Sequence, residues 1–282
     1  MTDELLVKPD RLKQLIASER CVVVDCRFNL FNAAKGMQDY LAGHIPGAHY
    51  AHLDDDLASA ATAFSGRHPL PEPASFAAFL SRIGWTNSKL LVAHDDRSNA
   101  LAARLWWLMR YFGQDAALLD GGLEAWTRAG MPLESGTVAA SPTVVPDLNG
   151  DAKMIVSVSD IVEDLGRFSL TLVDARTAER YSGISEPLEA KAGHIPGASN
   201  RHFALNLDDS GCFKTKEQLR REFEALLQQK SLDSVVHSCG SGVTACHNRF
   251  AMEYAGMGAT RVYPGSWSEW VRDASRPIET LG

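Results

Sequence analysis

Short runs of aliphatic and β-branched residues alternate along this chain with longer segments whose apolar positions recur every three to four residues, the pattern of strands joined by helices. Residues 22–25, 90–94, 170–174 and 234–237 read as strands. The helical period predicts helices over 9–18, 98–112, 215–229 and 243–254, and Thr215 followed by Gln218 has the spacing of a capping box at the start of the third. Strands connected in this way by helices imply an α/β fold, with a mostly parallel sheet flanked by helices on both faces.

The pattern runs twice. Ala42-Gly43-His44-Ile45-Pro46-Gly47-Ala48 recurs unchanged as Ala192-Gly193-His194-Ile195-Pro196-Gly197-Ala198, Val24-Asp25-Cys26-Arg27 matches Val173-Asp174-Ala175-Arg176, and Leu119-Asp120-Gly121-Gly122 with Trp126 matches Tyr263-Pro264-Gly265-Ser266 with Trp270. The stretch 140–151 has two prolines, a glycine and no period, and reads as a linker between an N-terminal domain, 1–139, and a C-terminal domain, 152–282.

Composition fits two ordinary globular domains: 282 residues, 45% hydrophobic and 22% charged. A formal charge of −7 with no basic cluster argues against nucleic acid as a partner. Apolar stretches such as 105–109 fall far short of the ~20 residues that span a bilayer. The opening Met1-Thr2-Asp3-Glu4 is acidic where a secretory leader would be basic, so a cytoplasmic protein is expected. Cys21, Cys26, Cys212, Cys239 and Cys246 form neither a disulfide framework nor a Cys-x-x-Cys pair, and no metal or organic cofactor is suggested.

Subtracting one copy from the other separates scaffold from chemistry. Asp25 with Arg27, and Asp174 with Arg176, read as ion pairs holding the strand ends; Trp126 and Trp270 read as core, and His44 and His194 as structural histidines ahead of the Ile-Pro-Gly turn. The unmatched loop is Cys239-Gly240-Ser241-Gly242-Val243-Thr244, which aligns with the first copy so that Cys239 faces Asp96. A cysteine just past a strand, followed by two glycines and a helix, sits where backbone N–H groups converge, an arrangement that stabilises a thiolate. Arg180 aligns with Phe31, Thr244 with Leu101, Trp267 with Leu123, and Ser241 with Ser98. Arg180 has the fork geometry for a substrate carboxylate, and Thr244 is placed to donate to the sulfur.

Together the strand ends, both Gly-His-Ile-Pro-Gly turns, the cysteine loop and the run Gly265-Ser266-Trp267-Ser268-Glu269-Trp270 resemble the rhodanese superfamily in its two-domain sulfurtransferase form. The loop from Cys239 to Ala245 is similar to that of the 3-mercaptopyruvate sulfurtransferases. The resemblance implies tandem rhodanese-like domains, a silent N-terminal one and a catalytic C-terminal one, with the site near their interface. It further implies a Cys239 persulfide formed from 3-mercaptopyruvate with release of pyruvate, then passed to a thiol, such as thioredoxin or a small thiol, or to cyanide. Gly240, Gly242, Val243 and Thr244 then surround the substrate with Arg180 and Trp267, while Ser241 or a water protonates the leaving enolate; a histidine matching His44 is also implicated. Thiosulfate-preferring members carry Arg-Lys at the places of Gly240 and Ser241, so a cation-free loop suits a singly charged keto acid. Two positions depart from the family pattern: Leu188 stands where a second substrate arginine follows Glu-Pro, leaving Lys191 as the nearby cation, and Pro264 stands where the first copy keeps Asp120.

Three other readings compete. A cysteine phosphatase needs an arginine six positions after the nucleophile, where this chain has Ala245, and is rejected. A thiosulfate:cyanide sulfurtransferase and a non-catalytic persulfide carrier stay open, separated by donor preference and by turnover.

Overall fold

All strand pairings in the two sheets are parallel, which explains why the strands read as unbroken apolar runs: helices cover both faces. The computed structural model describes residues 4–281; Met1, Thr2 and Asp3, used above to argue against a leader, lie outside them. In the first unit β1 (Leu6–Val7), β2 (Cys21–Asp25), β3 (His49–Tyr50), β4 (Leu90–His94) and β5 (Ala116–Leu119) are ordered β1-β5-β4-β2-β3. In the second, β6 (Thr171–Asp174), β7 (Ser199–Asn200), β8 (Val235–Ser238) and β9 (Arg261–Val262) are ordered β7-β6-β8-β9. The second sheet is the first without its outermost strand, and a single parallel bridge from Ile155 to Val262 stands in that place.

Among the described residues five α-helices accompany each sheet: α1 (Pro9–Ala17), α2 (Ala34–Ala42), α3 (Pro73–Arg82), α4 (Ala102–Tyr111) and α5 (Gly122–Arg128), then α6 (Val158–Asp164), α7 (Ala178–Ser182), α8 (Lys216–Leu227), α9 (Ala245–Tyr254) and α10 (Ser266–Trp270). Local chemistry sets their ends. Pro9 and Pro73 open α1 and α3, where a missing N–H costs nothing. Thr215 caps α8 by accepting from the Gln218 N–H, but the Gln218 side chain turns to Glu222 instead of closing the box. The complete capping box belongs to Ser157 and Asp160 on α6. Helices predicted over 98–112 and 215–229 are shorter than their period suggests, because Ser98, Asn99, Gln228 and Gln229 adopt positive φ and interrupt the helical path; the one predicted over 243–254 begins two residues later, at Ala245.

The chain divides into two packed units whose membership is not a simple cut. The first gathers the chain up to Ser59, Leu70–Asp151 and Asp209–Phe213; the second gathers Ala60–Pro69, Ala152–Asp208 and the chain from Lys214 onward. The boundaries expected above, 1–139 and 152–282, do not contain this exchange of two segments. The stretch 140–151 has no regular element, yet it is tied to the first unit: Thr143 bonds the Ser81 and Trp85 carbonyl groups, and the Asp151 N–H donates to the Tyr111 carbonyl.

The same frame is built in both units. Arg27 forks onto Asp25 and reaches the Gly43 carbonyl at 2.7 Å; Arg176 forks onto Asp174 and reaches the Gly193 carbonyl at 2.7 Å. These pairs are buried, so each charge is held in place by the other. Tyr40 donates to the Ala48 carbonyl and Tyr181 to that of Ala198, while His44 and His194 stack on those tyrosines. Trp126 and Trp270 close the cores and donate to the Pro132 and Pro277 carbonyl groups. Removing the cation alone from one such pair is the severe change. Arg27→Met, which strands the buried Asp25 carboxylate, is expected to lower stability by about 3–5 kcal/mol, measured by urea unfolding followed through tryptophan fluorescence; a loss under about 1 kcal/mol would contradict a load on this pair.

Candidate active site

Hydrogen-bond register fixes which residue of the first unit corresponds to the cysteine. The Cys26 N–H meets the His94 carbonyl as the Ala175 N–H meets that of Ser238, and the Leu123 N–H meets the Asp95 carbonyl as the Trp267 N–H meets that of Cys239. Cys239 therefore corresponds to Asp95, not Asp96, and the loop alignment shifts by one: Ser241 matches Arg97 and Thr244 matches Ala100. Trp267 still matches Leu123. Arg180 precedes Tyr181, the counterpart of Tyr40, and so matches Asp39 rather than Phe31.

Asp95 shows what this loop does electrostatically. Its Oδ1 accepts the N–H groups of Arg97 and Asn99 at 2.7 and 2.8 Å, and its Oδ2 those of Leu101 and Ala102 at 2.7 and 2.8 Å. Burial pushes this carboxyl up, and the four amides work against that shift. With two donors on each oxygen the lone pairs are all engaged, so the loop is shaped for the ionised form. The first unit thus carries an anion in a backbone nest at the position where the second carries its cysteine.

β8 delivers Cys239 to the corresponding point, where the residue is buried, 2% exposed. Its backbone is pinned on both sides. The Cys239 N–H donates to Ser266 Oγ at 3.0 Å, Ser266 Oγ–H donates to the Tyr263 carbonyl, and the carbonyl groups of Cys239 and Gly240 accept from Trp267 and Ser268. Ser266 holds this place at φ +52°, where the first unit has Gly122 at φ +59°. Gly242 is required twice over: its φ is +74°, and a Cβ there would stand 2.2 Å from the Pro264 carbonyl oxygen. Pro264 therefore packs directly beneath the loop.

Three polar groups face the loop from other segments. Ser241 Oγ lies 2.8 Å from His68 Nδ1, both residues buried. Arg180 forks onto Glu186 through Nε and Nη2, at 2.7 to 3.2 Å, and Glu186 also accepts from Arg176 and from the Leu188 N–H. A Cβ on Gly240 would stand 3.1 Å from Arg180 Nη2 and 3.5 Å from Arg67 Nη2, so the glycine leaves room where two guanidinium groups converge. Arg67 is ion-paired with Glu189, and its backbone N–H is fixed on Ser268 Oγ.

Arg67 and His68 escaped the sequence analysis because they lie inside the first repeat, whereas subtraction looked only for polar residues special to the second. Running it in both directions would have flagged them. Their arrival also changes the account of Leu188: a second arginine is present, supplied by the segment Ala60–Pro69.

The remaining sequence candidates fall as follows. Trp267 lies under the loop, 1% exposed, with Arg176 over its ring at 4.7 Å and its Nε1 donating to the Lys191 carbonyl, so it supports the loop from the core. Lys191 contributes that carbonyl. Its ammonium group instead adds to the effects of Ser275 and Arg276 in holding the Asp273 carboxyl below the usual range. Val243 is buried and Thr244 half-buried at the entry to α9. His44 is buried, with Nδ1 2.8 Å from the Tyr40 carbonyl, and His194 repeats this on Tyr181. Among the described residues no cluster of His, Cys, Asp or Glu could hold a metal, and no helix is long and apolar enough to cross a membrane.

Comparison with known proteins agrees with this geometry. The rhodanese-like domain model matches residues 8–129 and again 157–273. A Pseudomonas aeruginosa protein that carries the name Probable 3-mercaptopyruvate sulfurtransferase is 42% identical, with 99% of each chain covered. A Mycobacterium tuberculosis protein named for thiosulfate sulfurtransferase activity, SseB, is 37% identical over 98% of this chain and 96% of its own. The solved 3-mercaptopyruvate sulfurtransferase from Leishmania major superposes with a TM-score of 0.85 at 30% identity, covering 97% of this chain and 75% of that one. With both repeats matched and full-length relatives of this kind, the chain belongs to the rhodanese-like domain family, of which it carries two copies.

Proposed function

We propose that this protein is a sulfurtransferase that moves sulfane sulfur from 3-mercaptopyruvate to a thiol or cyanide acceptor through a persulfide on Cys239. The observation that carries the reading is the composition of the loop surroundings. A cysteine stands where the other repeat holds Asp95 in a backbone nest, the loop itself carries no cation, two arginines converge over Gly240, and a buried serine–histidine pair lies two residues from the nucleophile.

In the first half-reaction the Cys239 thiolate attacks the sulfur of the donor thiol. The S–S bond forms as the C–S bond breaks, and the carbon fragment leaves as the enolate of pyruvate. Protonation at its methylene carbon yields pyruvate and Cys239–S–SH. We assign that proton to the Ser241 hydroxyl, resupplied by His68, rather than to His44, whose hydrogen bonding and stacking are reproduced by its counterpart in the other repeat. Arg180 and Arg67 hold the donor carboxylate, the first as a planar fork. The amides of the loop from Gly240 to Thr244 surround the transferred sulfur. In the second half-reaction a thiolate, from thioredoxin or a small thiol, or cyanide takes the outer sulfur and restores Cys239. None of the five cysteines is in a disulfide, so the Cys239 sulfur is not tied up in one.

Thiosulfate is the second reading, supported by the thiosulfate naming of the Mycobacterium tuberculosis relative. The experiment is a comparison of kcat/KM for the two donors with intact-mass detection of the persulfide. Mercaptopyruvate is expected to be the better donor, with a 32-Da gain mapped to Cys239 (the mass of one sulfur atom, about 32 Da) and both turnover and mass gain abolished in Cys239→Ser. Higher efficiency with thiosulfate, or a mass gain on another cysteine, overturns the assignment. For the proton relay, His68→Gln is expected to lower kcat for pyruvate release by about 10²–10⁴-fold while persulfide transfer from preloaded enzyme to an acceptor changes little. Equal losses in both half-reactions would place His68 in a structural role.

A further inference from the structure

We propose that Glu189 is a specificity-determining residue, which cancels the charge of Arg67 and thereby favours a singly charged sulfur donor over a doubly charged one. The inference rests on the sulfurtransferase reading above and deepens it.

It begins with a difference between the two repeats. From Tyr40 to His44 the chain takes four steps, whereas from Tyr181 to the equivalent His194 it takes thirteen. The extra residues carry both Glu186 and Glu189, the carboxylates that meet the arginines over Gly240. Glu186 is largely committed to the scaffold, since it also binds the buried Arg176 and the Leu188 N–H. Glu189 is different: its ion-pair partner is Arg67, which belongs to the loop surroundings.

Arg67 is otherwise poised for a ligand. Its Nη2 lies beside the space over Gly240, and its Nε is buried without a hydrogen-bond partner among the described residues. A donor carboxylate oxygen on that N–H would satisfy it. Glu189 stays on the other side of the guanidinium, with only 10% of its side chain exposed. Burial pushes its carboxyl up and Glu186 adds to this, while Arg67, Arg272 and Arg180 oppose it. A monoanionic donor completes the polar contacts of Arg67 while adding one negative charge. A dianion adds a second one opposite Glu186 and Glu189, with one arginine already neutralised. Removing one unit charge about 7 Å from the donor, at an effective dielectric of about 40, shifts the preference between dianion and monoanion by about tenfold.

The test measures kcat/KM for thiosulfate and for 3-mercaptopyruvate with the full-length protein at low ionic strength. It compares wild type, Glu189→Gln, Glu189→Ala and the double variant Arg67→Gln/Glu189→Gln. Both single variants are expected to raise the thiosulfate-to-mercaptopyruvate ratio about tenfold, the gain shrinking as salt is added, and the double variant is expected to lose it. A ratio that stays constant, a shift toward mercaptopyruvate, or a gain that survives without Arg67 overturns the proposal. The wild-type ratio judges the donor assignment, whereas the change in ratio on substitution judges Glu189, so the two can fail separately.

Discussion

A parallel strand that ends near the middle of its sheet and turns at once toward a helix can leave several backbone N–H groups aimed at one point, and each repeat places one residue there. In one the point is filled by the Asp95 carboxylate, bound by four amides. In the other it belongs to Cys239. The strand register and the contacts of Leu123 and Trp267 put the two side chains at equivalent points of the repeated backbone.

Keeping that backbone in place is the task of the repeated frame. The buried Asp–Arg pairs reach the Gly43 and Gly193 carbonyl groups and so tie the strand ends to the Gly-His-Ile-Pro-Gly turns. In the second unit the frame extends into the site: Arg176 binds Asp174, stacks over Trp267 and shares Glu186 with Arg180. A residue that anchors the sheet thus also fixes the orientation of a group facing the loop, and Trp267 joins the same core to the Cys239 carbonyl. Support and the loop surroundings are continuous here, because the Glu186 carboxylate is shared by Arg176 and Arg180.

The frame was legible in the sequence because it is duplicated. Central strands, the Asp–Arg pairs, the tryptophans and the paired histidines could each be checked against a second copy, and long apolar runs left little doubt about β2, β4, β6 and β8. The loop was legible in kind but not in register. Asp95 and Asp96 are adjacent and equally acidic, so only the hydrogen bonds of β4 and β8 distinguish them. Arg180 was assigned the wrong counterpart for a related reason: counting forward from the strand-end arginines pairs it with Phe31, but the path from Arg27 to Tyr40 is longer than that from Arg176 to Tyr181, which shifts the register before the tyrosines meet. Arg67 and His68 were missed for a different cause. They are distant in sequence from the cysteine, and unit membership, which places Ala60–Pro69 with the second half, is a tertiary fact without a local signal.

The carboxylate in the first repeat also behaves as a tethered ligand. It arrives with the chain, at an effective concentration that a dissolved anion cannot reach, and it has no route of departure. With four N–H groups already engaged by Asp95, that nest has no donor left over for a free anion.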